Sequence, residues 1–281
     1  MSFDFFTFGG NKNWADIFFY QKWRIQRNIN DKEYRLLDPW DISRRIGTFE
    51  ECRKKFVDYI EAYQISRQHG HMIIMLHGFN ESKKVFRGLW RRISGHGFIA
   101  AALNYPSTKA PLDSHVKQLD FFLNNLEDVS EVSFVAKGAS CLILRELFSL
   151  PSLWQKKLNI KRILFINPSN NGNDFVAWLA KFKLFRWFLG PMAAQISTEN
   201  SHLIPKLPAK IEHGTIFCDS RFSKFIRSIS KRFEGTPIKG ESTEKSYVKK
   251  SVRIDLNGEK IFENENVLQK TIIFLEKGSF D

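Results

Sequence analysis

Six short apolar runs punctuate the chain, at 72–76, 98–103, 132–136, 163–166, 215–218 and 252–256, the last of them alternating. Each is too brief to cross a membrane, and the first five are too continuous to be half-exposed. The run at 72–76 reads MIIML and lies between Gly70 and the pair His77-Gly78. That is the pattern of a strand covered on both faces, as parallel sheets require. Stretches with helical periodicity fall between the runs, at 82–94, 113–127, 140–149, 174–188 and 264–277. The alternation predicts an α/β fold: a mainly parallel, doubly wound sheet flanked by helices.

The 69 residues before this region predict an N-terminal extension, packed on a core formed by residues 70–281. WRIQRNI and YRLLDPW read there as strands around Asn30, Asp31 and Lys32. Thr48-Phe-Glu-Glu51 is a capping box, in which the Thr side chain and Glu51 satisfy backbone N–H groups reciprocally, so a helix should start at Thr48. Lid-like insertions are expected at about 170–210 and 219–250.

The 281 residues suit one large α/β domain, and 43% hydrophobic residues allow a sizeable core. Cys52, Cys141 and Cys218 are well separated, which fits neither a disulfide framework nor a zinc site. A reducing, cytoplasmic setting is expected. Residues 1–14 lack the basic segment and apolar run of a secretory signal, and no apolar stretch reaches 18 residues. The net charge of +13 favours acidic partners. Segment 221–232 places Phe222, Phe225, Ile226 and Ile229 on one helical face, and Lys224, Arg227 and Lys231 among the remaining positions. Segment 174–189 is very apolar and carries Lys181, Lys183 and Arg186. Both have the character of lid or interfacial helices, so peripheral contact with an anionic membrane is expected of them. No dinucleotide fingerprint, P-loop, metal-ligand cluster or recognised nucleic-acid module is present, and no cofactor is implied.

Three motifs carry a resemblance. His77-Gly78-Phe79-Asn80 follows the first core run; the segment 133–145, SFVAKGASCLILR, passes from a strand through small residues into an apolar helix; and Gly258, Phe262 and Phe274-Leu275 frame the C-terminal run and closing helix. In this order they resemble the α/β-hydrolase superfamily, in its lipase and esterase branch, over about residues 70–277. Asn104-Tyr-Pro-Ser-Thr108 and Ile166-Asn-Pro-Ser-Asn-Asn-Gly172 resemble further segments of the same branch.

The resemblance implies a catalytic triad, and the triad positions are degenerate. Gly138 stands where the nucleophilic Ser belongs and Lys260 where the His belongs; Glu234, in Phe233-Glu-Gly-Thr-Pro237, stands for the acid. The vestigial oxyanion hole would use the backbone N–H groups of Phe79 and Ala139. No His follows His213, and His213 opens the strand around 215–218, in the wrong loop for a family base. His69, His71 and His77 read as structural. The expectation is a catalytically inactive relative with a binding or scaffolding role, its expected partner a lipid or acyl-type small molecule. Two alternatives stay open: an active ester hydrolase with a displaced nucleophile, Ser140 or Cys141, and a membrane-surface lipid-binding protein.

Overall fold

The computed structural model describes residues 13–31, 33–168, 205–219 and 250–281. The expected insertions therefore lie largely outside the described residues.

The strands form two sheets. β1 (Trp14–Tyr20), β2 (Trp23–Asn28), β3 (Tyr34–Leu37) and β4 (Ser43–Gly47) make an antiparallel sheet in chain order. The second sheet has six strands: β5 (His71–Leu76), β6 (Ile99–Leu103), β7 (Glu131–Lys137), β8 (Asn159–Ile166), β9 (Glu212–Asp219) and β10 (Ser251–Asp255). Its order is β10-β9-β8-β7-β5-β6, and every neighbouring pair is parallel.

Both faces of the parallel sheet are covered, which is why its inner strands carry continuous apolar runs, whereas the edge strand β10 alternates. Along β5, Met72, Ile74 and Leu76 join one core and Ile73 and Met75 the other. The first core takes in α3 (Leu112–Asn124), α4 (Ser140–Ser149) and α5 (Trp154–Lys157). The second takes in a 3-10 turn (Lys83–Phe86), α2 (Arg87–Gly95) and α6 (Glu265–Lys277). α1 (Phe49–Tyr63) begins at the Thr48 capping box and covers the antiparallel sheet, burying Phe56 among Phe18, Tyr20 and Trp23.

The antiparallel sheet is tied to the parallel one by buried polar groups. Asp16 in β1 receives the backbone N–H of Asn104 (2.6 Å) and the amide of Gln26 (2.7 Å), and its own N–H donates to the Asn104 carbonyl (2.9 Å). The buried Arg24 guanidinium lies 3.5 Å from Asp16 and pairs with Asp41, which also receives the Lys83 ammonium at 2.8 Å. At the other end Tyr20 donates to Asp128 (2.6 Å) and Gln68 to the Glu127 carbonyl (2.7 Å). The edge of β6 is managed by Trp90, whose indole N–H donates to the Ala100 carbonyl at 3.1 Å.

Candidate functional site

In a doubly wound sheet, ligands bind beyond the carboxyl ends of the strands where the chain order reverses. Here β5 is flanked by β6 on one side and β7 on the other, so the reversal lies between β5 and β7. Their carboxyl ends carry His77-Gly78-Phe79 and Lys137-Gly138-Ala139. The topology thus brings together two of the sequence motifs.

At the end of β7 the ladder with β8 runs on into the turn, Gly138 N–H donating to the Ile166 carbonyl at 2.9 Å. Gly138 then adopts φ +58°, and α4 begins two residues later. This is a strand–turn–helix elbow, of the kind that holds the nucleophile in hydrolases. Left-handed backbone disfavours residues with a Cβ, whereas Gly adopts it freely. There is room for a side chain: a Cβ on Gly138 would meet only Gly78 Cα, at 3.9 Å, among the described residues. The apex therefore holds no nucleophile, although it could accommodate one.

The displaced candidates point into the packed face. Ser140 is fully buried, with its hydroxyl 3.0 Å from the Leu76 carbonyl and 2.9 Å from that of Lys137. Cys141 is fully buried among the apolar residues of the α3/α4 face. The Ser140 hydroxyl is thus engaged by backbone carbonyls. Lys260 lies in the turn before α6, its side chain 82% exposed and paired with Glu263 at 3.0 Å. It is held away from the interior, at the surface. Glu234, Lys181, Lys183, Arg186, Lys224, Arg227 and Lys231 lie outside the described residues.

The N–H groups of Phe79 and Ala139 have no hydrogen-bond partner among the described residues. Beside them stands an ion pair that sequence reasoning missed. The Glu81 carboxylate accepts from Gly78 N–H (2.9 Å) and pairs with the Lys137 ammonium, joining the loop after β5 to the elbow after β7. Beneath the loop, His77 is fully buried and stacks on Tyr105, ring centroids 4.2 Å apart. Its Nδ1 is 2.8 Å from the Gly78 carbonyl, and Tyr105 donates its hydroxyl to the His77 carbonyl. Burial depresses the His77 imidazole to about 4, so at neutral pH it is an uncharged brace.

His213 and His71 stand elsewhere. His213 is the second residue of β9, at the end opposite the elbow. His71, at the amino end of β5, lies 2.9 Å from Ser133 Oγ. A Ser–His contact suggests a nucleophile, but Ser133 is fully buried and also accepts from Arg162 N–H (3.1 Å), filling a register shift between β7 and β8. It is a structural hydroxyl. Asn167, after β8, clasps Cys218 with both amide atoms, at 2.6 and 3.0 Å. Burial raises the Cys52 and Cys218 thiols to about 11 and about 12, far from the thiolate form. No metal-binding group of three or more His, Cys, Asp or Glu occurs among the described residues.

Neither a protein-family model nor a curated protein matches the sequence. Solved structures resembling the chain include a carboxyl esterase of metagenomic origin (11% identity, TM-score 0.48, covering 59% of this chain and 57% of that one). A bromoperoxidase from Bacillus anthracis is 12% identical with TM-score 0.48, over 94% of this chain and 99% of its own. Phospholipase PlaB from Legionella pneumophila, in complex with thio-NAD, is 14% identical with TM-score 0.46, over 62% and 42%. The chain thus spans 57% and 42% of the lengths of the esterase and the phospholipase. The fold assignment rests on the chain's own strand order and elbow: with six parallel strands, helices on both faces and a strand–turn–helix elbow at the point of reversal, the chain has the α/β-hydrolase fold.

Proposed function

We propose that this chain is a non-catalytic α/β-hydrolase-fold protein that binds a small acyl or carboxylate-bearing molecule at the elbow. The observation that carries this reading is Gly138, a residue with no side chain at the apex where an attacking oxygen belongs. Nucleophilic catalysis needs a nucleophile hydrogen-bonded to a base that is itself oriented. Gly138 supplies no nucleophile, and Lys260 faces solvent, paired with Glu263. What remains is a pair of N–H donors without a partner among the described residues, Phe79 in the loop after β5 and Ala139 at the amino end of α4, suited to bind a carbonyl or carboxylate oxygen.

Two measurements on the full chain test the reading. Fluorophosphonate probes and p-nitrophenyl esters should give neither labelling nor turnover. Labelling abolished by Ser140→Ala or Cys141→Ala would instead establish a displaced nucleophile. A fluorescent fatty acid should bind, and Gly138→Leu should weaken its binding at least tenfold by filling the space above the elbow. Absence of binding would leave scaffolding, with no ligand at the elbow.

A further inference from the structure

His115, on α3, is only 3% exposed, and its Nε2 has no hydrogen-bond partner among the described residues. A buried ring nitrogen left bare is costly, because it has lost water and gained nothing. The imidazole hydrogen-bonds the Ala110 backbone. Since Nε2 is bare, that bond uses Nδ1 as the donor, which leaves Nε2 as a lone-pair acceptor. Burial pushes the ring down to about 4, so this neutral tautomer holds at physiological pH.

His115 lines a cavity of about 10 Å³ with Tyr105, Gln118, Leu76, Leu103 and Ile143. One water needs roughly 10–15 Å³ of such space and two to four polar partners. The cavity meets the lower end of that range and excludes anything larger. Its polar lining is His115, Tyr105 and Gln118. Gln118 already donates its amide to the carbonyls of Asp16 (2.8 Å) and Asn104 (3.4 Å), and its Oε1 has no partner among the described residues. Tyr105 donates its hydroxyl to His77. The three side chains therefore offer acceptors and lack a donor.

We propose that this cavity is a binding site for a single internal water, which donates one hydrogen bond to His115 Nε2 and the other to Gln118 Oε1 or the Tyr105 hydroxyl. The site is independent of whether the elbow binds anything. It would join α3 to the Tyr105–His77 brace beneath the loop after β5. A fully apolar lining would leave the space dry; here His115, whose Nε2 lacks a partner among the described residues, is part of the lining.

A crystal structure of the full chain at neutral pH should show one solvent peak about 2.7–3.2 Å from His115 Nε2. In solution, 15N NMR should show the Nδ1–H tautomer, with Nε2 shifted as a hydrogen-bonded imine nitrogen is. Magnetic relaxation dispersion should count one fewer long-lived water in His115→Phe, which removes the acceptor and fills the space. The wild-type measurements stand even if that variant fails to fold. A cavity without density between ordered side chains, an Nε2 resonance typical of a free imine nitrogen, or xenon entering under pressure would each overturn the proposal.

Discussion

Gly138 combines φ +58° with space for a side chain, and the two facts separate torsional cost from steric cost. Gly138→Ser should destabilise the chain by about 1 kcal/mol, the ordinary cost of a Cβ in left-handed backbone, as read from urea unfolding. It should create no esterase, because the described carboxylate at the elbow, Glu81, is already tied to Gly78 N–H and the Lys137 ammonium; measurable turnover by this variant would show that Glu81, or a residue outside the described ones, serves as its base. His77 and His115 set a second expectation. Burial holds both near 4 in the folded chain, below the ordinary 6.5. Between those values the unfolded chain binds protons that the native one refuses. Stability is therefore full above about pH 6.5, falls as the pH drops towards 4, and for these groups flattens below that. The loss is on the order of 3 kcal/mol for each ring. Urea midpoints from pH 7.5 to 4.5 should follow this course, with a shallower slope in His115→Phe.

At the scale of elements, α2 lies so close to the loop before α6 that a Cβ on Gly88 would stand 2.0 Å from the Phe262 carbonyl oxygen. Backbone cannot yield as a flexible side-chain tip does. Gly88→Ala should cost about 1–3 kcal/mol in thermal or urea unfolding even though Ala favours helices; a neutral or stabilising result would show that the loop gives way. Such contacts are invisible in sequence, whereas the elements that make them were largely legible. β5 to β10 fall on the six apolar runs, and α1 starts where the Thr48 capping box places it. β1 escaped notice because all seven of its residues are buried and so do not alternate, and because its turn to β2 uses Gln21 and Lys22, both at positive φ, rather than Gly or Asn. β4 is a polar, largely exposed edge with no apolar signal. At the site, Phe79, Gly138 and Ala139 could be read because each motif is contiguous. The Glu81–Lys137 pair could not, since it depends on side chains meeting from two separate loops.

The whole molecule raises the question of whether the antiparallel sheet is an appendage or part of one cooperative unit. Its own core is small, centred on Ile17, Phe18, Trp23, Ile25, Leu36 and Phe56. Four strands and one helix with so little buried surface are marginal alone. Asp16 links the parts: it satisfies Asn104 N–H across the boundary and Gln26 within the sheet, and it shares the Arg24 charge with Asp41, which Lys83 holds from the far side. Asp16→Ala would strip a buried donor on each side and leave Arg24 with half its compensation, a loss of about 3 kcal/mol or more. Because the bonds cross the boundary, the loss should also appear as uncoupling. In the wild-type chain, native-state hydrogen exchange should give amides of β2 and β3 the same opening free energy as those of β7, as one cooperative unit requires. In Asp16→Ala the β2 and β3 amides should open first, at lower free energy, while β7 keeps its protection. Uniform loss across both sheets would mean that the apolar contact of β1 with the parallel core holds the parts together without Asp16, and that the buried charges serve only to fix register.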